Sequence, residues 1–167
     1  MTRVLVAGIG NIFLSDDGFG PEVARRLATQ PQPPGVKVED FGIRGVHLAY
    51  ELLDGYDALV LVDAMPLREA PGTVCLFEPD PPEPAEAGDD VAPTLDAHSM
   101  SPGVVLNMLA GLGGTVGRIV VVGCEPAELG DGIGLSDTVS AAVDEAADAV
   151  GAIVAQIFHT EAREAKR

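Results

Sequence analysis

The fold is decided by residues 4–20, VLVAGIGNIFLSDDGFG, in which a short apolar run meets a glycine-rich loop. Residues 4–7 are continuously apolar and stop at Gly8 and Gly10, which is typical of a strand buried on both faces of a sheet. Pro21 then opens a helical pattern with its apolar residues on one side. A buried strand, a glycine turn and an amphipathic helix together indicate the first unit of an α/β fold.

The alternation of strand and helix patterns continues along the chain. Further strands are predicted at 36–41, 58–62, 73–77 and 119–122, and further helices at 45–53, at 101–112 and from Ser136 onward. The strand at 73–77 follows a short connection, so we expect it to run antiparallel to its predecessor. The pattern predicts an α/β protein with three layers, in which a twisted, mostly parallel sheet has helices on both faces.

The length of 167 residues fits one domain with a sizeable apolar core. We expect residues 1–160 to form that domain and residues 161–167 to be a polar C-terminal tail, with fraying after His159. Residues 78–97 mix prolines with acidic residues, and this composition predicts a mobile acidic loop inside the domain.

Charge and cysteine content exclude several classes of protein. The formal net charge is -16, from 26 acidic and 10 basic residues, which disfavours nucleic acid and anionic membrane surfaces as partners. The two cysteines form no C-x-x-C pattern, so a disulfide framework is not expected. The apolar run at the N-terminus is too short for a signal peptide, and no stretch is long enough to span a bilayer. We therefore expect a cytoplasmic protein.

Topology predicts where a functional site would lie. In doubly wound sheets, ligands bind beyond the carboxyl ends of the strands, at the point where the strand order reverses. If the order begins 2-1-3, the loops that meet there carry Asp16, Asp17 and Asp63. A carboxylate at the end of an apolar strand is costly to bury alone, so Asp63 needs a metal ion, a cation or several N–H donors. Alternatively, Asp63 caps the next turn and one of the other two aspartates caps a helix.

His98, just before the helix predicted at 101–112, could join these carboxylates. Two carboxylates and one imidazole suit a borderline divalent ion such as Ni²⁺ or Zn²⁺ and leave positions open for water or substrate. The alternative is that His98 is a surface residue. Of the other histidines, His47 is expected to face solvent and His159 lies in the polar tail.

Two other chemistries are considered from the residues alone. The loop begins like the dinucleotide fingerprint G-x-G-x-x-G, and Asp40 could mimic its ribose-binding acid, but Phe13 stands at the third glycine position. Adjacent aspartates would also repel a pyrophosphate. Cys124 could be a nucleophile facing the crevice, although a small buried side chain is the favoured interpretation. Glu125 beside it is a possible acid for binding substrate or supporting the site.

Several motifs in chain order resemble the hydrogenase maturation protease family. They are residues 8–11 (GIGN) and 16–20 (DDGFG), then Val62-Asp63-Ala64, His98, residues 123–126 (GCEP) and Gly134-Leu135-Ser136. The match spans nearly the whole chain with similar spacing. It implies a phosphorylase/hydrolase-like α/β fold and an endopeptidase that removes a short C-terminal peptide from the large subunit of a [NiFe] hydrogenase after nickel insertion.

The resemblance also implies a set of site residues. The metal-contacting positions of the family fall on Asp17, Asp63 and His98, which are expected to be catalytic and to engage nickel supplied by the substrate, with zinc or another divalent ion as a possible substitute. The first position is often Glu in the family and is Asp here. Further candidates for supporting or substrate contacts are Asn11, Asp16, Asp40, Arg44 and Glu125; Arg44 could meet acidic or carboxylate groups of the substrate.

Other functions stay open at this point. The chain could be a non-enzymatic nickel-binding or docking factor in hydrogenase assembly, with the same metal-contacting residues but no cleavage. It could be a nucleotide-binding module, or a peptidase of the same fold that acts on another protein. The expected partner is the hydrogenase large-subunit precursor.

Overall fold

The computed structural model describes residues 1–80 and 101–167. In chain order, its elements are β1 (Val4–Ile9), α1 (Phe19–Ala28), β2 (Val36–Gly42), α2 (Gly45–Leu52), β3 (Ala58–Ala64), β4 (Val74–Phe77), α3 (Pro102–Gly111), β5 (Arg118–Cys124), α4 (Asp137–Ser140) and α5 (Val143–Glu164). A short 3₁₀ turn at Ser15–Gly18 precedes α1. His98 and most of the predicted acidic loop, residues 81–97, lie outside the described residues. The proposed domain limits stay a prediction.

The strands form one sheet in the order β2-β1-β3-β5-β4. β1, β2, β3 and β5 are parallel, which confirms the predicted mostly parallel sheet, and the order begins 2-1-3, the condition under which the site was placed between β1 and β3. β4 runs antiparallel to β5, which lies between it and β3. The predicted direction of β4 is therefore right, but its neighbour is β5. Residues 65–73 connect β3 to β4 and can reach across the position of β5, because neighbouring strands are only about 4.8 Å apart.

Helices cover both faces of the sheet, as predicted. Along β1, Val4 and Val6 point into a core shared with α1 and α5. Leu5 and Ala7 point to the opposite face, into a core shared with α2 and α3. Every residue of β1 is buried, because successive side chains of a strand alternate between two covered faces.

The helical predictions need two corrections near the C-terminus. Ser136 caps the short helix α4, where its hydroxyl oxygen accepts a hydrogen bond from the Val139 N–H at 3.4 Å, and the long helix α5 begins only at Val143. The predicted fraying after His159 is wrong, since α5 continues to Glu164. Its buried stripe anchors the helix, and the Glu, Ala and Arg residues that follow are strong helix formers.

Ser101 caps α3 as predicted, with its side chain accepting a hydrogen bond from the Val104 N–H. Across residues 1–80 and 101–167, the helices are too short or too polar to traverse a lipid bilayer.

Candidate functional site

The loop after β1 folds back on itself and holds the carboxylate of Asp17. Gly10 has a φ of 144°, and a Cβ atom there would lie 1.9 Å from the carbonyl oxygen of Asp17, so only glycine fits. The N–H of Asn11 donates a hydrogen bond to Asp17 Oδ2 at 2.8 Å. This N–H is one of the groups that a pyrophosphate would need in a dinucleotide loop. Glycine in this loop therefore allows a conformation in which the Asp17 carboxylate is held by a backbone N–H, and this argues against the interpretation of the loop as a nucleotide-binding site.

Two further glycines bring this loop against the third strand. A Cβ on Gly8 would lie 2.2 Å from the Gly20 carbonyl oxygen, and a Cβ on Gly20 would lie 2.2 Å from the Val62 carbonyl oxygen. The start of α1 thus packs backbone on backbone across β1 and β3. This close approach sets the loop that carries Asp17 beside the carboxyl end of β3.

Asp63 lies within β3, where it pairs in register with Gly123 of β5, and only 3% of it is exposed. The strand continues to Ala64, so it does not stop before Asp63 as the sequence predicts. Burial raises the pKa of Asp63 well above its usual value, and the negative charge of Asp17 raises it further, against a smaller opposing effect of the hydrogen bond from the Ala64 N–H. The two carboxylates are therefore within electrostatic reach of each other, and a cation between them would relieve their repulsion.

The third residue of the predicted set, His98, is not among the described residues. Within residues 1–80 and 101–167, no group of three or more His, Cys, Asp or Glu side chains is placed to hold a metal ion. The three-ligand set of Asp17, Asp63 and His98 therefore stays a prediction.

Asp16 is fully buried and has a different environment from its neighbour. Its carboxylate accepts hydrogen bonds from the N–H groups of Ala127, Glu128 and Ser136 and from the Ser136 hydroxyl, at 2.7 to 2.9 Å. Burial alone would raise the pKa of Asp16, but these hydrogen bonds outweigh it and hold the pKa below its usual value. Asp16 thus anchors the segment that follows β5.

Backbone contacts extend this anchor into a continuous seam between the loop after β1 and residues 127–136. The Ser15 N–H donates to the Gly132 carbonyl at 2.9 Å, the Gly132 N–H donates to the Phe13 carbonyl at 2.9 Å, and the Asp16 N–H donates to the Glu128 carbonyl at 2.9 Å. Sequence reasoning identified Ser136 only as a helix cap and missed its bond to Asp16. No local signal could have shown it, because 120 residues separate the two.

Asp40 and Arg44 lie at the end of β2 and stabilise the turn that follows it. Asp40 Oδ1 accepts a hydrogen bond from the Gly42 N–H at 2.9 Å, and Asp40 Oδ2 lies 3.7 Å from the Arg25 side chain. The guanidinium of Arg44 donates to the carbonyl oxygens of Asp40 at 2.6 Å and Phe41 at 3.3 Å. Asp40 and Arg44, which were predicted as possible substrate contacts, therefore both interact with other residues of the chain.

A groove of about 260 Å³ lies between residues 10–13 and residues 40–44. It opens beside Asn11, the residue whose N–H holds Asp17. Phe13 and Ile43 both line it, and they are 61% and 53% exposed. The sequence analysis noted Phe13 only as a departure from the dinucleotide fingerprint and did not name Ile43, although two large apolar side chains in loops were a visible signal.

Cys124 ends β5 and Glu125 follows it, and both have structural roles. The Glu125 carboxylate accepts a hydrogen bond from the Leu67 N–H, which ties the loop after β3 to the end of β5. Cys124 is fully buried, and burial raises the pKa of its thiol to about 11. The thiol is therefore protonated at neutral pH and lacks the thiolate that a nucleophile needs. His47 is exposed, as expected.

These features define an α/β protein whose candidate site is a pair of carboxylates at the switch point between its first and third strands. A family model described as hydrogenase maturation protease matches residues 21–153. The hydrogenase 2 maturation protease of Escherichia coli is 31% identical over 150 residues, which cover 89% of this chain and 88% of that protein. The chain belongs to the hydrogenase maturation protease family.

Two further similarities agree with this assignment. The hydrogenase expression/formation protein HupD of Rhodobacter capsulatus is 34% identical over 130 residues, which cover 77% of this chain but only 60% of that protein. Among solved structures, the hydrogenase maturating endopeptidase HybD from Escherichia coli matches with a TM-score of 0.73 and 29% identity over 93% of each chain. The α/β fold predicted from the sequence is thereby confirmed.

Proposed function

We propose that this protein is an endopeptidase that removes the C-terminal extension of a nickel-loaded [NiFe] hydrogenase large-subunit precursor. Family membership and the similarity to a hydrogenase maturating endopeptidase support the reaction. The observation that carries the proposal is the placement of Asp63, buried at the switch point and destabilised as an anion by Asp17. Two neighbouring carboxylates, of which Asp63 is buried and Asp17 is half-buried, would be stabilised by a cation, and nickel held by the precursor would supply one.

In this proposal, nickel is part of the substrate. Asp17 and Asp63, together with His98, would contact the ion that the precursor already carries. Oxygen and imidazole ligands suit divalent nickel, and zinc or another divalent ion could substitute. Three ligands leave the rest of the coordination shell to the precursor, so the site would distinguish a nickel-loaded precursor from an empty one.

The protein's own contribution is to hold the two carboxylates in place before the precursor arrives. Asp17 is fixed by the Asn11 N–H, and Asp63 is fixed within a central strand of the sheet. Little rearrangement of the two carboxylates is then needed when the cation binds. Because less conformational entropy is lost, the cation binds more tightly. Burial of Asp63 also keeps competing water away from its carboxylate.

The test is to incubate the purified protein with its precursor, nickel-loaded or nickel-free, and to measure the mass of the large subunit. We expect wild-type protein to shorten only the nickel-loaded precursor. Asp17→Asn, Asp63→Asn and His98→Ala should each slow cleavage by at least about a hundredfold, because each removes a contact to the ion. Asp148→Asn, an exposed aspartate on α5, is the matched control and should cleave normally.

Two outcomes would contradict this proposal. Full processing by all three variants would show that these side chains do not engage the precursor's nickel. Stable binding of the nickel-loaded precursor without any change in its mass would instead identify a docking factor in hydrogenase assembly that uses the same residues.

A further inference from the structure

The groove between residues 10–13 and 40–44 has an exposed apolar lining that the carboxylate pair does not explain. Phe13 and Ile43, which are both more than half exposed, face solvent at the carboxyl edge of the sheet, where the candidate site also lies. Large apolar side chains that line a concave surface are typical of a binding site, whereas single scattered ones are ordinary. The shared position of Phe13 and Ile43 in one groove therefore indicates a binding site.

The walls of the groove are held rigidly by hydrogen bonds. The Gly10 N–H donates to the Gly42 carbonyl at 2.9 Å, which joins the two walls directly. The Gly42 N–H donates to Asp40 Oδ1, and the Arg44 guanidinium donates to the Asp40 carbonyl. Binding of a peptide in such a preformed groove requires little ordering of the protein, so a larger share of the apolar contact energy contributes to affinity.

The charged residues that line the groove are Asp40 and Arg44, and a further acidic residue, Asp131, lies in the segment that is hydrogen-bonded to the Phe13 wall. Asp131 is exposed and lies between Gly130, whose carbonyl accepts a 2.7 Å hydrogen bond from the Ser15 hydroxyl, and Gly132, whose N–H donates to the Phe13 carbonyl. These bonds hold Asp131 next to the loop that forms one wall. The whole chain also carries a net charge of -16. Charge complementarity therefore favours an occupant with a basic group next to its apolar one.

We propose that this groove binds the peptide segment of the precursor that flanks its cleavage site, with a bulky apolar side chain against Phe13 and Ile43 and a basic side chain toward Asp131. The inference rests on the proposed function and adds to it the recognition of the substrate's sequence. The groove lies next to the candidate site, because Asn11 lines the groove and its N–H holds the Asp17 carboxylate. A peptide anchored in the groove would thus pass beside the carboxylate pair.

The experiment compares cleavage of nickel-loaded precursor by wild-type protein, Phe13→Ala, Ile43→Ala and the double variant. Each single change should raise KM about tenfold, and the double variant about a hundredfold, with kcat little changed, because anchor residues of an interface contribute mainly to binding. Tyr50→Ala is the matched control, since Tyr50 is 54% exposed on α2 and does not line the groove. Truncation of exposed side chains leaves the fold intact, which circular dichroism would verify.

The basic side chain of the occupant is tested with Asp131→Asn. This variant should raise KM by a few fold and reduce the dependence of KM on salt concentration, because one screened attraction is removed. A value of KM that responds to salt in the same way as wild type would reject the charged contact.

Binding is measured separately from cleavage, by the affinity of each variant for immobilised precursor. Unchanged affinity and unchanged KM in the double variant, with wild-type protein cleaving normally, would overturn the groove assignment and leave the proposed function intact. Binding that is lost in the double variant, combined with no cleavage by wild type, would support the groove as a docking site and overturn the proposed endopeptidase activity.

Discussion

Two buried aspartates, Asp16 and Asp63, differ in how the protein compensates their charge. Asp16 receives four hydrogen bonds from residues 127–136, and its pKa is lowered. Asp63 is buried beside Asp17, and its pKa is raised. Burial acts in the same direction on both, so the difference comes from their neighbours. A buried carboxylate with a full set of fixed donors is a structural anchor, whereas one placed beside another carboxylate is suited to a cation from outside.

The largest effect on stability is expected from Asp16→Ala. The change leaves three partly buried N–H groups and a hydroxyl without their acceptor, so the free energy of unfolding should fall by about 3 kcal/mol. Urea unfolding followed by circular dichroism measures this, since the chain has no tryptophan to report by fluorescence. Asp63→Asn, the comparison variant, should lose much less or gain stability, because it removes a poorly compensated charge. Equal losses in both variants would remove the distinction between them.

The pH dependence of stability should separate the two aspartates by sign. The lowered pKa of Asp16 means that its contribution is present above the ordinary pKa of about 3.9 and is lost as pH falls through the folded-state pKa. The raised pKa of Asp63 has the opposite consequence: its contribution is present below about pH 3.9 and is lost as pH rises through the folded-state pKa. Wild-type protein should therefore lose Tm relative to Asp63→Asn as pH rises from 4 toward 8. A constant difference between their Tm values over that range would contradict the raised pKa.

The smallest effect is expected from Asp17→Asn, which tests the coupling between the two carboxylates. Removing the Asp17 charge should lower the pKa of Asp63, so the loss of stability with rising pH should end at a lower pH and be smaller, by about 1 kcal/mol or less. Thermal unfolding of Asp17→Asn and wild type at several pH values measures the shift. Asp40→Asn is the matched control, because Asp40 is not among the groups that act on Asp63. A similar shift in that control would mean that the effect is one of net charge alone.

Much of the fold followed from local patterns. The buried run at 4–7, the helix cap Ser101 and the glycine-bounded loop after β1 were each readable because strand burial, capping and turn formation depend on a few neighbouring residues. The errors concern features that depend on more than a few neighbouring residues. The position of β4 beside β5 depends on pairing across more than forty residues. The course of α5 up to Ile157 depends on a stripe of core contacts, whereas its exposed last residues, 159–164, follow helix propensity.

The candidate site was likewise predictable only in part. Sequence identified Asp16, Asp17 and Asp63 as carboxylates at the switch point, because strand order and residue type suffice for that. It could not separate the roles of Asp16 and Asp17, which are adjacent and chemically identical. Asp16 meets Ser136 only after the chain has folded, and the groove formed by Phe13 and Ile43 exists only where two strand ends lie side by side.

The amino-acid sequence by itself determined the class of fold, the edge of the sheet where chemistry would lie and the acidic character of the surface. Tertiary structure alone decided which buried aspartate is satisfied and which is not. The physical reason is that the state of a buried charge depends on the donors and charges within a few ångströms of it, and in this protein those groups come from parts of the chain that are far apart in sequence.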